Sequence, residues 1–598
     1  MSLLNKASLI QIPSGYKDGT LYSAKPTNGD GDFTFSRGSN LAATRVNSEG
    51  LIEKGRENLL LQSNQFDTTW SLSNASVTSG QSGYDGSSDA WLFETTVAGA
   101  AVQQSFTSTG VLTYSVYAKA GSVNGIRLRI DASTDGNGYF DLSNGTVFDF
   151  TGINASIIDV GNGWYRCSLS QNVSSPVKIQ FFTTDGTISY DNGNILIQDA
   201  QLELGLVATD YIETGASTAQ AGILEDMPRL DYSGGATCGH LLLEPQRSNV
   251  ITQSEYFDSS YYTKSFATIT TNSTISPDGK QNASELVEDT SNNRHLFFNT
   301  SAISGSSSPY TVSIFLKQNT RRYAFLQIAT DNASKRQTIV IDLSDGSITD
   351  TANTGSPIGV SYNVESFSNG FYRASLTATN TSGGVYIVCG LSNSATPTYN
   401  SSKEPIYTGN GSSIYIYGAM LEAGSYATSY IPTYGASVTR SHDVCKITGT
   451  DATDIINQPA MTLFVEAQLD DNGATTILSM LRDLTGGLYN DFISLTYTNS
   501  LKVNFEVREN ASPQATIQSG VLSEGVHKIA AVLTSTSMKL FIDGSLENSA
   551  TITAIPDDLD EIYLAGYPDT TARFGTKKQF LFFPTALSDD ECIQLTTL

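Results

Sequence analysis

The sequence predicts an all-β protein made of two tandem jelly-roll β-sandwiches followed by a third β-sandwich at the C-terminal end. Three observations lead to this prediction. Charged residues form only 16% of the 598 residues, whereas Gly, Ser, Thr and Asn, which favour turns and strands over helices, are frequent. One module of five sequence blocks occurs twice. The remaining C-terminal part contains alternating apolar segments at short intervals, as half-buried strands do.

The duplicated module is defined by five blocks that recur in the same order. The first block, residues 58–67, recurs 191 residues later, and the last block recurs 219 residues later, so the second copy has longer loops. The matched pairs are 58–67 with 249–258, 112–121 with 310–319, 140–147 with 341–348, 161–170 with 368–377, and 195–214 with 414–433.

Each block has the pattern of a strand or a turn. Residues 112–121 and 310–319 alternate or remain apolar, which is typical of strands. Asn162-Gly163 and Asn369-Gly370 lie just before aromatic strands and have the composition of tight type I′ hairpin turns. About eight such strands in each copy fit a two-sheet jelly roll.

The C-terminal region has a different strand pattern. Its alternating segments are 461–469, 492–498, 502–507, 527–533, 538–544, 561–566 and 577–583. Asp543-Gly544 predicts a hairpin turn, and Ser588 followed by three acidic residues predicts a short helix with Ser588 as its N-cap.

These observations divide the chain into six parts. We expect an N-terminal attachment or connector region at 1–57, with the C-terminal sandwich projecting away from it. The remaining parts are the first module at 58–215, a connector at 216–248, the second module at 249–434, a linker at 435–460 and the C-terminal sandwich at 461–598.

Charge and cysteine content exclude several classes of protein. The formal net charge of −25 disfavours binding to nucleic acid and to anionic membranes. The five widely spaced cysteines predict neither a disulfide framework nor a zinc site, as expected for assembly in a cytoplasm. Neither a secretory signal nor a run of apolar residues long enough for membrane insertion is evident.

The repeated blocks resemble the carbohydrate-binding jelly rolls that occur in tandem in bacteriophage tail-fibre, head-fibre and other virion proteins. The residues that carry this resemblance are 58–60, 163–166 and 201–211, with their partners in the second copy. The connector residues 43–50 and 228–247 resemble recurring phage structural-protein sequences.

The C-terminal region resembles lectin-like sandwiches of the concanavalin A or laminin-G type. Its strand, Asp-Gly, strand hairpin at 538–544 and its Leu-Ser-x-x-Glu helix start at 587–591 carry this resemblance. These families vary in their sugar-binding residues, so no binding site is transferred to this chain.

No catalytic motif is evident, and we expect a non-enzymatic protein. The four histidines lie in different parts of the chain, and P-loop, H-E-x-x-H and G-x-S-x-G patterns are missing from the sequence. Glu203 and Glu422 match across the repeat, but each lies in an apolar strand, where it is expected to stabilise the sheet.

Aromatic residues are the candidates for carbohydrate binding, because their rings stack on the apolar faces of sugars. Trp70 and Tyr261 occupy matching positions, and Trp91 and Tyr262 are further candidates. The alternative is that aromatic residues at repeated positions fill the core, which is the interpretation we favour for Trp164 and Tyr165.

The sequence predicts no organic cofactor, and calcium is the one metal for which it offers ligands. Asp454, Asp470 and Asp471 lie in or near the C-terminal sandwich, and calcium prefers clustered carboxylate oxygens. Asp470-Asp471-Asn472-Gly473 is also the composition of an ordinary turn.

The resulting hypothesis is a virion fibre or adhesion protein that binds host-surface glycans. Such a protein would be assembled in the host cytoplasm and act outside the cell as part of the virion, as a homo-oligomer, with a trimer favoured because weak sugar sites gain from multivalency. The alternative is a purely structural virion component, a head decoration or tail adaptor, that binds other virion proteins. The accessory region of a secreted polysaccharide-active enzyme is a third possibility.

Overall fold

The computed structural model describes residues 3–175, 177–456, 458–469, 475–483, 490–565 and 575–597. Over these residues the prediction of an all-β fold is confirmed. The α-helices of this described part are Thr450–Ile456 and Asp589–Thr596, and the second is the predicted one, with Ser588 and Glu591 forming a capping box. No helix in these ranges has the length and apolarity needed to cross a bilayer.

The first module is a sandwich of two six-stranded antiparallel sheets, which we call the front and back sheets. The front sheet contains, in spatial order, Thr146–Thr151, Gly136–Asp141, Gly125–Asp131, Val177–Thr184, Ala101–Phe106 and Ser71–Ser73. The back sheet contains Asn154–Gly161, Trp164–Val173, Gly110–Ala120, Asn194–Leu204, Ala90–Thr95 and Ala75–Gln81. Apolar side chains from both sheets meet between them in one core.

The second module repeats this architecture. Its front sheet contains Tyr262–Ser265, Leu296–Asn299, Gly384–Ser392, Tyr323–Thr330, Lys335–Asp342 and Ile348–Thr354, with the short strand Ile303–Ser304 beside Gly384–Ser392. Its back sheet contains Ala267–Thr274, Ala283–Glu288, Ser413–Ala423, Ser308–Gln318, Tyr372–Asn380 and Ile358–Ser366. The tandem jelly-roll prediction is therefore confirmed.

The third sandwich takes strands from three distant parts of the chain. One sheet contains Arg229–Asp231, His240–Leu243, Gly575–Phe583, Ala460–Leu469, Gly525–Thr534, Ser537–Ile542 and Ser545–Thr551, with Leu9–Gln11 also paired to Gly575–Phe583. The other contains Tyr16–Lys17, Thr20–Leu21, Phe33–Ser36, Val444–Thr448, Glu561–Ala565, Thr476–Arg482, Phe492–Tyr497, Val503–Glu509 and Ser512–Gln518.

The N-terminal region is thus built into the C-terminal sandwich, where the sequence suggested a connector. Leu9 pairs with Phe582, and Phe35 pairs with Cys445. Leu9, Phe33 and Phe35 are buried in the core of this sandwich. Strands of two to four residues are too short to show a clear apolar period, so their partners could not be identified from sequence.

Two short hairpins pack against domains that follow later in the chain. The hairpin of Thr44–Val46 and Ile52–Lys54, which precedes the first module, packs on the back sheet of the second module through Ile52. The hairpin of Arg229–Asp231 and His240–Leu243, which precedes the second module, extends a sheet of the C-terminal sandwich. The two hairpins therefore hold neighbouring domains together.

Candidate functional site

Two of the aromatic residues expected to bind sugar lie in the cores of the modules. Trp70 is 4% exposed, packs on Phe66 at a ring-centroid distance of 5.2 Å, and donates its indole N–H to the Gln62 carbonyl at 3.0 Å. Tyr262 is 2% exposed and donates its hydroxyl to the matching carbonyl, that of Gln253, at 2.9 Å. The structural counterpart of Trp70 is therefore Tyr262, one residue beyond the counterpart suggested by the sequence.

The other two aromatic candidates are also covered, Trp91 almost fully and Tyr261 in part. Trp91 is 7% exposed, and its indole N–H donates to the Asn64 carbonyl at 3.0 Å. Tyr261 is half-buried, with its ring set edge-on against Tyr262 at 4.9 Å. The rings of Trp70, Trp91 and Tyr262 are therefore packed inside the modules, where they cannot stack on a sugar, and the ring of Tyr261 is partly covered.

The residues expected to bind calcium are not brought together by the described structure. Asp454 lies exposed on the short helix Thr450–Ile456. Asp470 and Asp471 lie outside the described residues.

A different acidic cluster lies at the edge of the C-terminal sandwich. Asp483 follows the strand Thr476–Arg482, Asp491 precedes Phe492–Tyr497, and Asp558 precedes Glu561–Ala565, so adjacent strands bring the three together. One carboxylate oxygen from each lies within 4.8 Å of the others. Burial and the negative charge of Asp491 raise the pKa of Asp558, as expected where like charges are crowded.

A cleft of about 250 Å³ lies on the outer face of the front sheet of the second module. Residues alternate along these strands, so Leu326 and Ile328 point into the core while Gln327 and Ala329 point outward. The floor and walls of the cleft are formed by Arg294, Phe298, Thr300, Ala329, Ala333, Arg336, Tyr386, Val388 and Glu404.

Two arginines share one buried carboxylate in this cleft. Arg294 Nη1 lies 2.8 Å from Glu404 Oε2, and Arg336 Nη1 lies 3.5 Å from Glu404 Oε1. The Glu404 side chain is 4% exposed, whereas those of Arg294 and Arg336 are 34% and 19% exposed. Two guanidinium groups against one carboxylate leave a local positive charge at the cleft wall.

The loop that carries Glu404 belongs to the second module alone. In the first module the strands Val177–Thr184 and Asn194–Leu204 are joined by a short connection, whereas Gly384–Ser392 and Ser413–Ala423 are joined by a longer one. The Gln327 amide donates to the Ser402 carbonyl at 2.9 Å and holds this loop on the front sheet. The growing offset between the copies was the sequence signal for this loop.

The first module presents a different set of side chains on its front sheet. The guanidinium of Arg127 lies over the rings of Tyr139, Phe182 and Tyr190 at 5.0 to 5.2 Å. Arg127 also donates to the Asn137 side-chain oxygen at 2.5 Å. The aromatic rings on this face are thus partly covered by the chain's own arginine, unlike the cleft of the second module.

No protein-family model matches the sequence, and no curated protein matches it. Among solved structures, the CBM40 domain of the Ruminococcus gnavus IT-sialidase bound to α2,3-sialyllactose is 19% identical, with 24% of this chain and 86% of that chain covered and a TM-score of 0.22. The tandem CBM22 domains of Paenibacillus barcinonensis Xyn10C are 8% identical, with 65% and 100% covered and a TM-score of 0.20.

The mouse laminin α1 domains LG4-5 are also similar. They are 12% identical, with 50% of this chain and 90% of that chain covered and a TM-score of 0.16. At these TM-scores we take neither a ligand nor an activity from any of these proteins.

Proposed function

We propose that this chain is a non-enzymatic glycan-binding protein of the virion fibre or adhesion type, with the cleft on the second module as its glycan site. The observation that carries the proposal is the composition of the cleft. Phe298 and Tyr386 offer ring surface to the apolar faces of a sugar, while Arg294, Arg336 and Glu404 offer donors and acceptors to its hydroxyl groups.

The proposal of binding without catalysis is supported by the carboxylates of the cleft. Glycoside hydrolysis uses two carboxyl groups, and one of them must hold a proton that it can donate. Among the described residues that line the cleft, Glu404 is the only acid, and both of its oxygens already face arginine side chains. We therefore propose that the cleft holds a glycan and releases it unchanged.

The virion setting is supported by the sequence resemblance to tandem modules of phage fibre proteins. In this setting the protein is assembled in the host cytoplasm and acts outside the cell on host-surface glycans. A homo-oligomer, with a trimer favoured, would combine several weak clefts into strong attachment.

Binding of the full chain to an array of neutral and acidic glycans tests this proposal. Tyr386→Ala should weaken binding of an array hit by at least about tenfold in titration calorimetry, because the ring surface is lost. Tyr362→Ala is the matched control, since Tyr362 is 48% exposed on a back-sheet strand of the same module. An equal loss of affinity in both variants, or no binding to any glycan on the array, would contradict a glycan site in this cleft.

A structural virion component is the second candidate function. Phe148, Phe150 and Ile158 lie on edge strands of the first module and are 45% to 58% exposed. Exposed apolar side chains on sheet edges are typical of surfaces that bind other proteins. Silence on the glycan array combined with stable association with purified virion particles would favour this function.

We also propose calcium as the ligand of the acidic cluster formed by Asp483, Asp491 and Asp558. Clustered carboxylate oxygens on neighbouring loops suit this cation. Millimolar calcium should raise the melting temperature of the full chain by about 3 °C, because a ligand that binds the folded state stabilises it. Asp491→Asn should abolish this response and Asp454→Asn should leave it unchanged; the reverse pattern would move the site to Asp454.

A further inference from the structure

A second cavity lies at the junction of the two modules. It has a volume of about 260 Å³. Its walls are formed by the end of the strand Asn194–Leu204 of the first module, by residues of the segment 54–59, which leads into that module, and by residues of the second module. Leu59, Leu206 and Val207 line one part of it, and the carboxylate-bearing residue Glu203 lines another. Its position and its lining are unrelated to the front-sheet cleft.

The second module shows what fills the corresponding place in the other copy of the repeat. Arg247 Nε lies 3.6 Å from Glu422 Oε2, and the guanidinium stacks on Tyr426 at 5.3 Å. A methyl group added to Gly424 would meet this guanidinium at 3.0 to 3.3 Å, so the guanidinium is packed directly against the glycine. A cation, a carboxylate and an aromatic ring therefore form one compact unit.

The first module keeps the carboxylate but not the unit. By the repeat alignment, Glu203 matches Glu422, Gly205 matches Gly424 and Val207 matches Tyr426. A methyl group added to Gly205 would meet nothing within 4 Å, and Val207 is smaller than the tyrosine of the other copy. The space that a guanidinium and a ring fill in the second module is open in the first.

Arg56, the counterpart of Arg247, is directed elsewhere. Its Nη1 donates to the Asp210 carbonyl at 3.2 Å, and no ion pair joins it to Glu203 in the described structure. Glu203 is 2% exposed and accepts hydrogen bonds from the Thr209 amide at 2.8 Å and the Gln201 side chain at 2.6 Å. Burial raises the pKa of its carboxyl group, against the opposing hydrogen bonds from Thr209 and Gln201 and the charge of Arg166.

Two other cations at the cavity already have carboxylate partners. Lys54 Nζ lies 3.0 Å from Glu255 Oε1 and 2.7 Å from Asp278 Oδ2. Lys280 Nζ lies 3.1 Å from Asp210 Oδ1. Among the described residues, Glu57 and Glu203 are the lining carboxylates without an ion pair. Glu203 is the one two residues from Gly205, where the space is open.

We propose that this junction cavity binds a compact organic cation, a guanidinium or primary ammonium group on a short aliphatic chain. The charged head pairs with Glu203 beside Gly205, in the place that the Arg247 guanidinium takes beside Gly424. The aliphatic chain packs on Leu59, Leu206 and Val207. This site goes beyond the proposed glycan binding and does not depend on it.

Titration calorimetry of the full chain with butylguanidinium tests the proposal, with butylurea as the neutral probe of the same shape. We expect saturable binding of butylguanidinium at one site per chain and binding of butylurea at least about tenfold weaker, because the urea cannot form the ion pair. Equal affinities for the two probes, or no heat from either, would overturn the proposal.

Two variants locate the binding to the cavity. Glu203→Gln removes the charge with little change of shape, and Val207→Tyr copies the ring of the second module into the open space. Each should reduce the affinity for butylguanidinium at least about tenfold, while Val521→Tyr, at a side chain that is 68% exposed in the C-terminal sandwich, should not. If Val207→Tyr lowers the melting temperature, the test rests on Glu203→Gln. Unchanged affinity of the Glu203→Gln variant for butylguanidinium would contradict the proposal.

Discussion

At the scale of single residues, positive backbone angles show which of the predicted Asn-Gly and Asp-Gly turns have the type I′ conformation. Asn162-Gly163 and Asn369-Gly370 have positive φ at both positions, as a type I′ turn requires. Asp543-Gly544 does the same in the C-terminal sandwich. Asn144-Gly145 also has the composition of a type I′ turn, but only the glycine has a positive φ, because the strands Gly136–Asp141 and Thr146–Thr151 are joined by a longer loop.

Burial of Asp199 makes the stability of the first module depend on pH. Asp199 lies in the back sheet of the first module, is 6% exposed and accepts a hydrogen bond from the Tyr84 hydroxyl at 2.9 Å. Burial, with the nearby charges of Asp89 and Asp85, raises its pKa to about 7. Since this pKa lies above that of an unfolded chain, the folded module binds more protons between about pH 4 and 7, and its stability falls as the pH rises through this window.

Asp199→Asn should remove this pH dependence. Asn tolerates the left-handed backbone at this position, where φ is 54°. At pH 8 the variant should be more stable than the parent by about 2 kcal/mol, since it buries no charge. Denaturant unfolding of the first module followed from about pH 4 to 8 measures this difference, and parallel pH profiles for parent and variant would contradict it.

At the scale of elements, long alternating strands could be predicted and short ones could not. The strands Gly110–Ala120 and Ser308–Gln318 lie in the repeated blocks, whereas Leu9–Gln11 and Phe33–Ser36 lie in a region whose sequence predicts a connector. Phe33–Ser36 has one near partner, Thr20–Leu21, but its other partner, Val444–Thr448, lies more than 400 residues away in sequence, as does the partner of Leu9–Gln11. Tertiary pairing over such distances leaves no local pattern.

The cleft on the second module could not be predicted from the sequence for a related reason. Aromatic residues such as Trp70 are sugar-binding candidates in the sequence because they recur in both copies, but recurrence marks what the common fold requires. The cleft instead uses Glu404, on a loop present in one copy, and outward positions such as Tyr386 that differ between copies. The differences between the two copies, and not their shared residues, therefore indicate where this cleft lies.

Removing the distant strands should prevent the C-terminal sandwich from folding. A fragment of residues 437–598 lacks Leu9, Phe33, Phe35, Leu241 and Leu243, all of which are buried in its core. We expect this fragment to be unfolded or aggregated, with a poorly dispersed amide NMR spectrum, because both sheets lose edge strands and apolar contacts.

A fragment of residues 56–222 is the matched control for this experiment. It contains both six-stranded sheets of the first module and the small strand Ala219–Ala221 that pairs with Arg56–Asn58. It should fold alone and melt cooperatively. A well-dispersed spectrum from the isolated 437–598 fragment would show that the N-terminal strands are dispensable.

At the scale of the whole molecule, buried ion pairs connect the domains at both junctions. Lys54, from the first hairpin, is held in the second module by Glu255 and Asp278. At the other junction, Arg229 Nη1 lies 2.6 Å from Glu244 Oε2 and its Nη2 lies 2.6 Å from Asp443 Oδ2. Both junctions therefore depend on charges from separate segments of the chain.

Lys54→Met should weaken the first junction strongly. The variant leaves Glu255 and Asp278 buried without their cation, which costs about 3 to 5 kcal/mol when one partner of a buried pair is removed. Calorimetry should show an earlier transition for the second module. Lys280→Met is the control, because its ion pair with Asp210 is largely exposed and its loss should cost about 1 kcal/mol or less.

The stability that the Lys54 and Asp278 ion pair gives this junction should not change in mild acid. Burial alone would raise the pKa of Asp278, but the Lys54 ammonium lowers it to about 2. Because this pKa lies below that of an unfolded chain, the stabilisation by Asp278 is present above about pH 4 and is lost as the pH falls through about 2. The melting transition of the second module in the parent protein should therefore change little between about pH 7 and 5, and a steep fall in that range would contradict this assignment.

The pairing of Leu9–Gln11 with Gly575–Phe583 also sets an order of events during synthesis. The first strand leaves the ribosome long before its partner is made, and both jelly rolls have all their strands in the interval. They can fold while Leu9, Phe33 and Phe35 remain exposed as apolar residues. The third sandwich can therefore fold only after Gly575–Phe583 has been synthesised. A chain truncated before this strand would keep these apolar residues exposed to chaperones and proteases.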